Sequence, residues 1–220
     1  MTVSLSGGVA MEFVWIAPGT FLMGSPSAEP GRYADEGPQH QVTLSRGFWL
    51  GKHEITQGQW EAATGTAPWS GQGYVQANPQ HPAVDVSWVE VQKLVLGLNK
   101  SAEAGVYRLP SEAEGEYACR AGTTTPWSFG DDEEQLCGYA WYDADRPDHG
   151  LQYAQPVGTK RRNPWGLYDM HGNIWEWVQD WWGSYSSGVQ TNPVGPSAGS
   201  SRVFRGGDFS RGAQNARSAY

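Results

Sequence analysis

At 220 residues the chain is long enough for one ordinary domain with a single core, and it needs no disulfide staple. Gly and Pro account for 43 residues and Trp, Tyr and Phe for 28, while only 17% are charged; this excludes a disordered chain and a helical bundle and leaves a loop-rich fold with aromatic rings in its core. The formal net charge of −8, divided into +3 on residues 160–220 and −11 before them, argues against general nucleic-acid binding.

Met11–Ile16 alternates as a strand does, and Pro18-Gly19 turns the chain into a second strand, Thr20–Met23. Residues 25–39 read as a polar loop. Val42–Leu44 and Phe48–Lys52 then read as another hairpin. Thr56 can cap a helix running to about Ala63 with Trp60 facing inward. A better helix begins at Ser87, where Glu90 completes a capping box and Trp88, Val91, Val95 and Leu98 share one face. Ser111 and Glu114 repeat the capping signal for a third helix that ends before Gly122, and Glu112, Glu114 and Glu116 complement its start. Beyond Thr123 nothing reads as helical, and short strands are expected near Gln155–Gly158, Ile174–Val178 and Ser201–Arg205. No linker or repeat divides the chain, so residues 1–220 form one α+β domain.

The generic motifs carry little chemistry. Gly195-Pro-Ser197-Ala-Gly199 has the spacing of a hydrolase elbow but lies in a Pro- and Gly-rich turn, without the strand and helix that elbow needs. His53-Glu54-Ile-Thr-Gln57 opens like a zinc-protease motif and has Gln where the second histidine belongs. Cys119 and Cys137 show no metal-ligand spacing; one disulfide is conceivable, and two buried thiols suit the sequence better. The first residues lack a basic region and an apolar stretch, and apolar runs are too short to span a bilayer. The expectation is a cytoplasmic chain by default, with no membrane or nucleic-acid partner. In Asp169-Met-His-Gly-Asn-Ile-Trp-Glu176, the carboxylates of Asp169 and Glu176 with the carbonyls of Gly172 and Ile174 are hard oxygen donors of a kind that suits calcium. The alternative is an Asp and a Glu that accept hydrogen bonds from backbone amides.

Three long segments occur in order: Gly19–Ser25, Tyr107–Gly122 and Asn163–Trp177, followed by Arg205-Gly206-Gly207. Together they resemble the sulfatase-modifying-factor family, whose namesake is the formylglycine-generating enzyme. The resemblance implies a C-type-lectin-like fold with about three short helices, short antiparallel strands and many loops. It also implies one structural calcium at Asp169, Gly172, Ile174 and Glu176; a second family site would fall near Ala140 and His149, where its ligands are not matched. The catalytic enzymes hold copper with two cysteines shortly after Arg-Gly-Gly. Here Arg211 and Ala216 occupy those positions, so copper is not expected. The family also continues by about one more strand past the point where this chain stops, at Tyr220, so Met11–Ile16 would be left as an unpaired edge.

Two functions follow from the resemblance. One is a ligand- or protein-binding module, like the variable proteins of diversity-generating retroelements, with Phe209, Ser210, Arg211, Gly212 and Gln214 as its surface and Trp181, Trp182 and Tyr185 flanking them. The other is a metal-dependent oxidoreductase acting on a protein or small-molecule substrate.

Overall fold

The computed structural model describes residues 1–101, 106–145 and 152–220. In chain order the elements are β1 (Thr2–Ser4), β2 (Ala10–Ile16), β3 (Gly19–Met23), β4 (His40–Leu44), β5 (Phe48–Gly51), α1 (Gln57–Thr64), α2 (Trp88–Ser101), α3 (Glu112–Arg120), β6 (Glu176–Trp181), β7 (Gln190–Thr191) and β8 (Arg202–Arg205). Among the described residues no helix is long and apolar enough to cross a membrane.

The helices start where local chemistry places them. Thr56 Oγ1 accepts from Gln59 N at 3.1 Å while Gln59 Oε1 accepts from Thr56 N at 3.0 Å, so two otherwise orphaned donors are satisfied. Ser111 and Glu114 do the same for α3, at 3.2 and 2.9 Å. Along α2 the expected face turns inward, centred on buried Leu94 and Leu98. Replacing Ser111 with alanine is expected to cost about 1 kcal/mol. Thermal unfolding should register this as a drop of roughly 2–4 °C for a chain of this size.

Most expected strand positions agree with the structure; strand pairing does not. β2 pairs with β1 and β5, Trp15 opposite Trp49, whereas β3 pairs with β4, Met23 opposite His40. Neither expected hairpin forms, because Ala17-Pro18 passes the chain from one sheet to the other. Nor is Met11–Ile16 an unpaired edge: it lies within β2, the central strand of the order β1-β2-β5. β7 adds to β4 in parallel, the exception among otherwise antiparallel pairs. Residues 157–158 form a turn and 155–156 are irregular, in place of the expected strand. β6 and β8 make a two-stranded ribbon with an irregularity between Trp177 and Trp181.

One core joins Ile16, Met23, Val42 and Leu44 of the strands to Ala113, Tyr117 and Ala118 of α3. A second gathers Trp60, Trp69, Leu94 and Leu98 between α1 and α2. The third, formed by Trp127, Leu136, Tyr142, Ala213 and Ala216, seats the C-terminal segment. Burial of these aromatic rings supplies much of the hydrophobic stabilisation in a fold with so little regular structure.

α3 packs against β3, β6 and β8. Glu116 does not serve the start of this helix as the sequence suggests; its carboxylate is buried among arginines. Oε1 accepts from Gly24 N and Arg120 Nε, each at 2.8 Å, and Oε2 accepts from Arg205 Nη2 at 2.7 Å. The cysteines depart from expectation only in the exposure of Cys137. Cys119 is buried and Cys137 is exposed, and both are free.

Candidate functional site

The segment after β8 leaves the ribbon through Gly206 and Gly207, both at positive φ. A Cβ on Gly207 would come 2.6 Å from the Asn215 carbonyl oxygen, so only glycine lets the chain pass. Two arginines, the partly buried Arg205 and the buried Arg217, bracket residues 206–216. Arg205 donates to the carbonyls of Ala219 (2.9 Å) and Ser218 (3.1 Å), tying the chain end to Glu116. Arg217 donates to Glu29 Oε1 at 2.6 Å and to both carboxylate oxygens of Glu36, anchoring the segment to the 25–39 loop. Between these clamps, Ser210 N donates to Asp208 Oδ1 at 2.6 Å and the Arg211 carbonyl accepts from Asp143 N at 2.8 Å. The backbone is therefore fixed, while Arg211 (side chain 63% exposed) and Gln214 point to solvent. Phe209, Ser210 and Gly212 are half-buried.

The structure does not bring the three flanking aromatics to this segment. Register puts Trp181 beside Arg202, at the start of β8, whereas residues 209–214 follow its end. The Arg202 guanidinium lies between the Trp181 and Trp88 rings, at 3.5 and 3.8 Å. Tyr185 is committed to the fold, donating to Glu112 Oε1 at 2.7 Å and packing on His40. Trp182 is exposed at the same far end.

Behind the segment lies the Asp169–Glu176 turn. Asp169 and Asn173 adopt left-handed backbone, which Asp and Asn tolerate better than most residues. A Cβ on Gly172 would meet the Trp141 carbonyl oxygen at 2.4 Å. Asn173, fully buried, is the hub: its Nδ2 donates to Glu54 Oε2 (2.8 Å) and the Gln155 carbonyl (3.1 Å), its Oδ1 accepts from Gln155 N, and its carbonyl accepts from Phe209 N. Glu54 Oε1 accepts from Ile174 N at 3.2 Å. Sequence reasoning missed Glu54 as part of this site, since the only signal around it was an incomplete zinc pattern.

Three carboxylates, Glu54, Asp169 and Glu176, thus gather with no described ion-pair partner. Burial, then the charges of Asp169 and Glu176, push Glu54 well above the ordinary carboxylate range. Burial and Asp169 push Glu176 up to about 7. Burial also raises Asp169, against the hydrogen bond that its Oδ2 accepts from Gly158 N at 2.6 Å. That bond matches the backbone-amide alternative for one oxygen. The other, Oδ1, is buried and has no hydrogen-bond partner. An orphaned carboxylate oxygen among mutually repelling carboxylates fits a hard divalent cation. Among the described residues, no three acidic, His or Cys side chains converge closely enough to hold a metal alone. Main-chain oxygens such as those of Gly172 and Ile174 would have to complete the set. Of the second expected site, Ala140 is buried in the third core and His149 lies outside the described residues.

At the copper-ligand positions the side chains are the exposed Arg211 and the buried Ala216. The Ala216 carbonyl accepts from His171 Nδ1 at 2.9 Å, and His171 Nε2 accepts from Ser128 N at 3.1 Å, which fixes a neutral imidazole. Burial pushes His171 down to about 4 and the neighbouring Cys119 thiol up to about 11. Cys119 is therefore a buried thiol rather than a thiolate at neutral pH.

Short sheets, a ribbon and three helices linked by long loops, with a clamped segment displayed beside a carboxylate turn, define a C-type-lectin-like α+β domain. Residues 6–220 match the Sulfatase-modifying factor enzyme 1-like domain, and the chain belongs to that family. It is 30% identical over 179 residues to the mouse formylglycine-generating enzyme, covering 77% of this chain and 44% of that enzyme. Treponema denticola variable protein 1 superposes with a TM-score of 0.85 at 25% identity, covering 100% of this chain and 91% of that one. PvdO from Pseudomonas aeruginosa superposes equally well, with a TM-score of 0.85 at 31% identity and coverage of 100% and 90%.

Proposed function

We propose that the chain is a ligand- or protein-binding member of the family, with the segment after Arg205-Gly206-Gly207 as its contact surface and one structural calcium behind it. The observation that carries the reading is the pairing of an anchored backbone with the exposed side chains of Arg211 and Gln214 between Arg205 and Arg217. Binding surfaces gain affinity when their framework is already ordered, because less freedom is lost on contact. The full-length likeness to a variable protein supports it. Calcium, held by Asp169, Glu176 and the Gly172 and Ile174 carbonyls, would neutralise the carboxylates beneath the surface and keep the Asn173 hub in place.

The family name and the mouse relative support the oxidoreductase alternative. It would need a metal held without the thiolate pair, since Arg211 and Ala216 stand at those positions and Cys119 is remote from Cys137 in environment.

If the segment is a display surface, it tolerates change. Ser210→Ala, Arg211→Ala and Gln214→Ala, singly or together, should each shift stability by no more than about 0.5 kcal/mol. Chemical denaturation of the triple variant measures this, and a loss of several kcal/mol would show that the segment serves the core.

A further inference from the structure

A cavity of about 350 Å³ opens between β3, the last turn of α3 and Trp165. Three rings make its apolar wall. Phe21 and Tyr117 have centroids 5.2 Å apart, and Tyr117 and Trp165 are 4.7 Å apart. Apart from Arg120, its polar lining is uncharged, with Thr20 and Gln41 from the strands and Thr123 and Thr124 after the helix. Arg120 also reaches the lining, but its guanidinium is spent. Nε donates to Glu116, Nη1 to the Thr125 carbonyl and Nη2 to the Gly24 carbonyl, at 2.8, 3.2 and 3.0 Å. The Tyr117 hydroxyl makes no hydrogen bond with a described residue, although Tyr117 is only 8% exposed. It lies against Gly19, where a Cβ would come within 2.1 Å of it.

The volume falls within the range of small-ligand sites, which are largely apolar with a few placed polar groups. Hydroxyls and amides both donate and accept, so they match a ligand that does the same. A charged ligand would leave water here without an opposite charge to meet it. We infer that this cavity binds a neutral, ring-shaped polyhydroxylated molecule such as a single pyranose, its apolar face on the Trp165 ring and its hydroxyls on Thr124, Gln41 and the Tyr117 hydroxyl, the Thr20 and Thr123 hydroxyls being bonded to Thr43 and to the Arg120 carbonyl. This site is separate from the 208–214 surface and stands whether or not that surface binds anything.

Saturation-transfer NMR with methyl glucoside, methyl galactoside and methyl mannoside tests it, with sodium glucuronate as the charged comparison. At least one neutral glycoside should receive saturation on its ring C–H protons. Trp165→Ala should weaken its binding about tenfold, the effect of losing one aromatic contact. Because Trp165 also packs on the core, Tyr117→Phe and Thr124→Val serve as mild variants, each expected to weaken binding severalfold with an unchanged melting temperature. Arg211→Ala should leave it unchanged. Absence of transfer to all three neutral glycosides, transfer to glucuronate alone, or equal binding by the Tyr117→Phe and Thr124→Val variants would overturn the inference.

Discussion

Glu116→Ala is expected to lose about 3–5 kcal/mol of stability, the typical cost of removing one partner of a buried ion pair. Glu116 is 1% exposed and is shared by Arg120 and Arg205. Its removal leaves the buried Arg120 guanidinium without a carboxylate, leaves Arg205 with Glu112 alone at 3.4 Å, and leaves the Gly24 amide without an acceptor. Arg205 in turn would lose the nearer of the two carboxylates that hold it beside the Ser218 and Ala219 carbonyls, so the clamp at one end of the displayed segment loosens too. For a chain of this size the expected fall in melting temperature is roughly 6–20 °C. The contrast is Arg108, half-exposed and paired with Glu114, where alanine should cost no more than about 1 kcal/mol. Denaturant titration of the two variants side by side checks the claim. A Glu116→Ala loss as small as that of Arg108→Ala would mean that the buried network contributes nothing beyond an ordinary surface pair.

The second large effect concerns pH and calcium together. Glu176 is raised to about 7 in the fold from an ordinary value near 4.5, so the folded, metal-free chain binds more protons than the unfolded one between those values. Its stabilising effect is therefore complete at low pH and is lost as pH rises through about 7. His171 works in the opposite sense. Lowered from 6.5 to about 4, it withholds stability in acid and is neutral in both states above 6.5. Between pH 6.5 and 8 the carboxylates thus dominate the change. The metal-free chain should melt at a lower temperature at pH 8 than at pH 6.5. Calcium at about a hundred times its dissociation constant should restore about 2.7 kcal/mol, with the larger gain at pH 8 because no proton need be displaced there. Asp169→Asn should remove the calcium response. Scanning calorimetry at the two pH values, with and without calcium, reads all of this directly.

What the sequence shows plainly is what local chemistry decides. Thr56 with Gln59 and Ser111 with Glu114 mark helix starts because donor and acceptor lie three residues apart. Strand positions are visible in the alternation of Met11–Ile16 for the same reason. Pairing is not, since Pro18-Gly19 signals a turn without saying whether the chain returns to the same sheet. The nested exchange of β2 with β5 and β3 with β4 is settled by packing on α3. The carboxylate turn was legible as a donor pattern. Its third carboxylate was not, because Asn173 meets Glu54 across 119 residues of sequence. The same holds for Glu116, whose place in the helix N-terminal half suggests a dipole role until Arg205 arrives from 89 residues away. Trp181 ends β6 with Trp182 next to it, and the antiparallel ribbon carries Trp181 to the start of β8, away from residues 209–214, while Tyr185 is taken up by Glu112 and His40.

The most direct test of the central claim is the metal content of the purified chain after exposure to calcium and to Cu(I), measured by mass spectrometry after desalting. A binding module with a calcium-organised turn and no thiolate pair should retain about one calcium and no stoichiometric copper. One copper per chain, without calcium, would contradict the account and restore the oxidoreductase reading.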